Sequence, residues 1–202
     1  NPNDWFAEWK YDGIRVQLVT SNEESAIFSR SGENITGSFP ELSKEITRES
    51  VLDGELVVMR DKEIGSFNDL QKRLNKKRPT KKDINSYPTA VIVYDVLSCR
   101  GESYRKKTLE ERRSLLESFF KKGAMSDRLF LSPTLSFTDS TDLQRIVEDL
   151  TENRENQFEG LMIKKKASEY VSGRPKGEWF KWKKEPHLVD AVLMYAQRGH
   201  GK

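Results

Sequence analysis

The sequence predicts an α+β fold in which antiparallel β-sheets carry helices on their outer faces. Two observations predict it. Short runs rich in branched and aromatic residues are set apart by Gly, Asp, Asn and Ser, the pattern of strands joined by turns. Helical stretches alternate with these runs, but without the regular spacing of a βαβ series.

In chain order, Ile14 to Val19 alternates apolar and polar residues as a half-buried strand does, and Ser25 to Ser29 follows as a second strand. Leu56 to Met59 is a third, and Phe67 to Leu74 has the spacing of a helix. Asn75 to Lys82 is a cationic stretch read as a loop, and its Pro79 should end the preceding helix. Ala90 to Leu97 is a further strand. Thr108 to Phe120 is a helix, because Thr108 with Glu111 forms a capping box before an apolar stripe at Leu109, Leu115, Leu116 and Phe119. Asp142 to Asn153 is another helix, and Leu161 to Lys164 is rich in strand formers. Trp179 to Lys184 alternates in strand fashion, which puts Lys181 and Lys183 on one face. Glu185-Pro186-His187 breaks the pattern before Val189 to Tyr195, which reads as the first strand of another domain. The expected division is therefore one domain over residues 1–185, then a linker and first strand over 186–202.

The chain has 202 residues, enough to bury a substantial core. No apolar run approaches the length that spans a bilayer, so a membrane is not an expected partner. With 35 basic and 32 acidic residues the net charge is +3, too balanced to establish a polyanion partner by itself. Cys99 is alone and cannot form an internal disulfide, which favours a reducing, intracellular location. The first residues carry no signal-peptide pattern and begin without methionine, as a fragment of a longer protein would.

The chemistry should centre on Lys10-Tyr11-Asp12-Gly13-Ile14-Arg15, where a tight turn would present Lys10 at a pocket mouth. A lysine nucleophile, with an ordinary pKa of about 10.4, needs nearby positive charge or desolvation to lose its proton. Asp53-Gly54-Glu55 and Phe158-Glu159-Gly160 each set a carboxylate beside glycine, and hard oxygen ligands of this kind suit Mg²⁺ held between protein and phosphate. Lys181 and Lys183 on one face can clamp a triphosphate. Each feature also has a plain reading: Lys10 as surface charge, the two glutamates as solvated turn residues, Tyr94 as core, the late lysines as an exposed strand face. Single short matches of this kind are mostly fortuitous. Their order and combination are what carry weight.

That order resembles the covalent nucleotidyltransferases, the superfamily of DNA ligases, RNA ligases and mRNA capping enzymes. Lys10 to Arg15 resembles the family's KxDGxR motif, Phe28-Ser29-Arg30 its next motif, and Leu52 to Val57 its carboxylate motif. Tyr94-Asp95-Val96-Leu97, Glu159 to Lys164 and Trp179 to Lys183 follow in the family's order, so the likeness covers nearly the whole chain. It implies an ATP-grasp-like nucleotidyltransferase fold, antiparallel sheets flanked by helices with the ATP pocket between the sheets.

By this resemblance Lys10 attacks the α-phosphorus of ATP and becomes lysyl-AMP, AMP passes to a nick's 5′-phosphate, and the 3′-hydroxyl then seals the strand. Glu8 and the backbone around Trp9 should read the adenine edge, Tyr94 should stack on the base and Met162 should lie near it. Arg15 and Arg30 should contact ribose or phosphate, with Arg30 on the nick's 5′-phosphate. Glu55 should serve both ribose and metal, and Glu159 should contact Mg²⁺ or Mn²⁺. Lys181 and Lys183 should neutralise the triphosphate and, with the metal, disfavour the ammonium form of Lys10.

Three segments favour a DNA ligase over an RNA ligase, a capping guanylyltransferase or a non-catalytic DNA-binding module. Ser66 to Arg73 resembles the helix after the carboxylate motif of DNA ligases. Gly101-Glu102-Ser103 with Arg112 to Leu116 resembles their segment after the tyrosine motif, and Asp190 to Leu193 the entry to their oligonucleotide-binding domain. The finer likeness is to bacterial ATP-dependent enzymes. The resemblance gives Lys76, Lys77, Arg78, Lys81 and Lys82 a second reading beside plain solvation, contact with the DNA backbone. The expected partner is nicked double-stranded DNA, bound by a monomer with an oligonucleotide-binding domain and an N-terminal DNA-binding domain. The family's last motif is missing here, so slow self-adenylation and little nick sealing are expected of this fragment.

Overall fold

The computed structural model describes residues 1–21, 24–45, 49–121, 127–153, 157–173, 176–183 and 195. In order these form β1 (Trp5–Tyr11), β2 (Ile14–Ser21), β3 (Glu24–Ser29), α1 (Pro40–Ser43), β4 (Ser50–Arg60), β5 (Glu63–Ile64), α2 (Phe67–Leu74) and α3 (Lys81–Ser86). They continue as β6 (Thr89–Cys99), β7 (Glu102–Ser103), α4 (Leu109–Lys121), β8 (Leu129–Leu131), β9 (Thr134–Leu135), α5 (Ser140–Asn153), β10 (Phe158–Lys165) and β11 (Trp179–Lys183). Two short 3-10 turns, Pro2–Asp4 and Thr36–Ser38, complete the described elements.

The strands make two sheets. One runs β11-β10-β1-β9; the other runs β3-β2-β4-β6-β7, with β5 on β4 and β8 on β6. The fold is α+β as expected, and all described pairings but one are antiparallel: β8 lies parallel to β6.

The larger sheet buries Val16, Leu18, Leu52, Leu56, Val91, Val93 and Val96 against Phe39, Leu70, Leu116 and Phe119 from the helices and their approaches. The smaller sheet buries Ala7, Leu161 and Ile163 against Leu143 and Val147 of α5. A third cluster, Tyr11 and Phe158 with Val57 and Ile92, joins the two sheets. Each fully buried aliphatic side chain contributes about 1.5–3 kcal/mol, so the join is an apolar seal as well as a hinge of chain direction.

Local signals set the helix ends. The Thr108 hydroxyl accepts from Glu111 N at 3.2 Å while the Glu111 carboxylate accepts from Thr108 N at 2.8 Å, the expected capping box. Ser66 accepts from Asp69 N to start α2, which ends at Leu74, five residues ahead of Pro79.

Three expectations are corrected. Lys10 lies on β1 rather than in a turn; the turn is Asp12-Gly13, after the strand. Asp53-Gly54-Glu55 lies inside β4 rather than beside a shorter strand. Lys81 and Lys82 open α3 rather than lying in a loop, because Thr80 and Asp83 cap that helix reciprocally. The expected boundary at 185/186 and the strand from Val189 lie outside the described residues except for exposed Tyr195.

Candidate active site

Registration decides what faces what. In an antiparallel pair, directly opposed residues share a face. On the smaller sheet Lys10 of β1 opposes Gly160 of β10, which opposes Lys183 of β11. The next row is Glu8, Met162 and Lys181; the row beyond is Phe6, Lys164 and Trp179. Glu8, Lys10, Met162, Lys181 and Lys183 therefore share one face, opposite the one packed on α5. Trp9 points the other way, its ring 5.0 Å from Phe158 between centroids, so only its backbone belongs to this face.

Gly160 sits in the middle of the first row because nothing larger fits. It has φ of 134°, and a Cβ there would stand 2.1 Å from the Trp182 carbonyl oxygen. Its neighbour Glu159 ion-pairs with Lys10 and lies 3.7 Å from Lys183 Nζ. Burial works against this carboxylate, but hydrogen bonding and charge from Lys10, followed by the charge of Lys183, hold it below its ordinary range. Asp12, in the turn after Lys10, is pushed up by burial and by the charge of Glu159.

That turn carries the chain from one sheet to the other. Gly13 makes the crossing possible, since a Cβ there would come within 2.4 Å of the Leu56 carbonyl oxygen and 2.8 Å of Glu55 Cγ. The chain enters β2, where Arg15 opposes Glu55 and Gln17 opposes Asp53. Glu55 is therefore a strand residue, close enough for Lys10 to act on its charge. Burial dominates its environment and pushes its pKa up to about 8, against the charge of Lys10.

An acid with a folded pKa above its unfolded value keeps a proton that the unfolded chain gives up. From about 4.5, the ordinary value, to about 8, folding stability must then fall as pH rises. Glu55→Gln is expected to flatten the stability profile across that window, with a gain in Tm toward pH 8. Thermal melts from pH 5 to 8 check this; an unchanged slope would place the titration elsewhere.

Arg15 donates from Nε to Asp53 Oδ1 at 3.0 Å and from Nη2 to Asp53 Oδ2. Asp53 is fully buried, so this paired carboxylate fixes the guanidinium on the larger sheet. Tyr94 stands at the bulge where the β4–β6 register shifts, its hydroxyl 3.5 Å from Asp53 Oδ1. The ammonium of Lys164 lies over the Tyr94 ring, 4.4 Å from its centroid, so the smaller sheet reaches the larger one there. Lys164 also donates to Glu8 Oε2 at 3.0 Å, and Ser132 donates to the same oxygen at 2.9 Å. Glu8 is thus a buried acceptor whose carboxylate is already engaged.

Arg30 is exposed and lines a cleft of about 620 Å³ together with Arg15, Gln17, Arg105 and Tyr170. Lys76, Lys77, Arg78, Lys81 and Lys82 are all exposed, and Lys76 ion-pairs with Asp83. Among the described residues no group of three or more His, Cys, Asp or Glu side chains forms a metal cage. Glu55 and Glu159 instead suit an ion that takes its remaining ligands from phosphate and water.

The structure brings the expected Lys10, Glu55, Glu159 and Lys183 to one site, and the sequence reading overlooks four residues. Asp53 and Lys164 carried a signal: each lies two residues from an assigned one, Glu55 and Met162, and so on the same strand face. Asp12 lay in the lysine motif without a role. Tyr170 carried no signal, since its importance depends on a partner distant in sequence.

The family model for the ATP dependent DNA ligase domain matches residues 1–183. A probable DNA ligase of Koribacter versatilis is 35% identical over 229 residues, covering 99% of this chain and 39% of the relative. DNA ligase 1 of Methanosarcina barkeri is 33% identical, covering 100% and 39%. The chain thus spans about two fifths of the length of these curated relatives. Mycobacterial DNA ligase D complexed with ATP and MES superposes with a TM-score of 0.68 at 25% identity, over 90% of this chain and 55% of that one. Chlorella virus DNA ligase-adenylate, at 19% identity and a TM-score of 0.64 over 89% and 62%, shares the fold. With the family match spanning nearly all of the two-sheet body, this chain belongs to the ATP-dependent DNA ligase family as its adenylation domain.

Proposed function

We propose that this chain transfers AMP from ATP to Lys10 and then to the 5′-phosphate of a DNA nick, which the strand's 3′-hydroxyl seals. The observation that carries the proposal is the row Lys10, Gly160, Lys183, set across the sheet join from Glu55 and Arg15.

Lys10 Nζ, freed of a proton and of Glu159, bonds to the α-phosphorus while the α–β bridging P–O bond breaks and pyrophosphate leaves. A 5′-phosphate oxygen then attacks the adenylyl phosphorus, and the P–N bond to Lys10 breaks. Last, the 3′-hydroxyl attacks the 5′-phosphorus and AMP departs. Lys181 and Lys183 meet the charge of the triphosphate from the neighbouring strand. Tyr94 has one ring face toward Lys164 and offers the other to adenine. Met162 lies beside the base, and the Trp9 backbone with the remaining acceptor capacity of Glu8 reads its edge. Glu55 takes the ribose as well as a metal contact. Mg²⁺ or Mn²⁺ held by Glu55 and Glu159 would neutralise phosphate charge.

DNA lies against Arg30 and the exposed cations Lys76, Lys77, Arg78, Lys81 and Lys82, contacts that are salt-sensitive and independent of sequence. The whole enzyme works as an intracellular monomer, with an oligonucleotide-binding domain and an N-terminal DNA-binding domain completing its grip on the nick.

Intact mass of the purified chain, before and after ATP with Mg²⁺ and again after pyrophosphate, tests the proposal. An AMP-sized gain that pyrophosphate reverses is expected. No gain, even with a complementary oligonucleotide-binding domain added, overturns it.

A further inference from the structure

The segment between β10 and β11 is fastened to the start of α4. Leu109 N and Glu110 N donate to the carbonyls of Ser168 and Lys166 at 2.8 and 3.0 Å, satisfying amides that a helix leaves open at its first turn. Arg112 Nη1 donates to the Ser168 carbonyl at 3.2 Å. Tyr170 N donates to the Arg105 carbonyl at 2.9 Å, and Arg105 Nη2 donates to Ser172 Oγ at 2.8 Å.

This fastening sends the Tyr170 side chain across to the larger sheet. Its hydroxyl accepts from Arg15 Nη2 at 2.6 Å and donates to Asp53 Oδ2 at 2.9 Å. Gln17 Nε2 stands 3.4 Å away as a second donor. A phenol has a single proton, and Asp53 takes it, so the oxygen faces Arg15 as an acceptor. The ring lies 5.6 Å from the Arg105 guanidinium and 5.9 Å from that of Arg112, which hold it from the helix side.

We propose that Tyr170 is a positioning residue that acts through Arg15, fixing its guanidinium for the nucleotide. This rests on the adenylation reading above. Asp53 alone holds Nε and Nη2 along one edge; the phenol adds a third point, so the plane of the guanidinium is set as well as its place. Among the described residues nothing engages Nη1, the group left for the ribose or phosphate. The strap also ties that orientation to the smaller sheet, so Arg15 is registered against Lys10 rather than against its own strand alone.

The test is a double-mutant cycle on the binding of α,β-methylene-ATP with Mg²⁺, an analogue whose carbon bridge blocks transfer to Lys10. Tyr170→Phe keeps the ring and removes the hydroxyl. It is expected to weaken binding about tenfold, roughly 1.4 kcal/mol, but less than about twofold when Arg15 is already lysine. Coupling of that size marks residues acting as one unit. Equal weakening in both backgrounds, or none in either, overturns the proposal, since a merely structural hydroxyl gives additive effects. If Tyr170→Phe fails to fold, Tyr170→Met enters the same cycle. Coupled binding without AMP transfer to the unsubstituted chain, even with a complementary oligonucleotide-binding domain added, would overturn the adenylation reading alone; no analogue binding at all would overturn both.

Discussion

Lys10→Arg is expected to abolish the AMP adduct while leaving the chain folded. Arginine retains a positive charge for Glu159 and a long stem along the strand, so the face of the smaller sheet keeps its ion pair. It cannot supply the nucleophile, because a guanidinium does not give up its proton in a protein. The loss should exceed about 10⁴-fold, the scale on which a covalent enzyme fails when its nucleophile is removed. Quantifying adduct by intact mass after ATP and Mg²⁺, with matched unfolding curves, measures this. A variant that still gains AMP would move the nucleophile to another lysine, and Lys183, on the same carboxylate, would be the next to replace.

Arg112→Leu is expected to cost about 3–5 kcal/mol of unfolding free energy, a large share of what a domain of this size has. Arg112 and Asp95 are both 0% exposed and joined by two bonds, Nε to Oδ1 at 2.7 Å and Nη2 to Oδ2 at 2.9 Å. The same guanidinium reaches the Lys107 carbonyl at 2.6 Å and the Ser168 carbonyl at 3.2 Å. One side chain on α4 therefore ties β6 of the larger sheet to the strap that follows β10 of the smaller. Leucine fills part of the space but leaves a carboxylate buried without its cation. Replacing both residues together, Asp95→Leu with Arg112→Leu, should recover much of the loss, because an apolar pair of similar volume avoids desolvation. Urea unfolding of the three variants checks this. If the single change costs under about 1 kcal/mol, water must reach Asp95 and the staple is not what holds the sheets together.

The parts of the fold readable in advance are those with a clean local pattern. β2 alternates, α2 has helical spacing and α4 a capping box, and each lies where these signals place it. β1 was missed because its inner face carries Glu8 and Lys10, charged residues where a half-buried strand ordinarily shows apolar ones. α3 was missed because its six residues carry no apolar stripe and its caps were hidden in a run of cations. In the candidate site the residue types were legible, and so was the shared face of Lys181 with Lys183. Their partners were not.

By itself the sequence determined the family, the order of the motifs and, where alternation is clean as in β2 and β11, which side chains share a strand face, because period-two alternation is local and survives in the letters. Only the tertiary structure decided what those faces meet. Lys10 and Glu159 are 149 positions apart, and Arg15 and Tyr170 are 155 apart. No pattern along the chain chooses between Glu55 and Glu159 as the partner of Lys10, or finds a tyrosine for Arg15. The choice follows from the crossing at Gly13, which places β1 and β2 in different sheets, and from the strap fastened to α4. Electrostatic pairing falls off with distance in space rather than in sequence, so the charges of this site acquire their partners only when the two sheets close on one another.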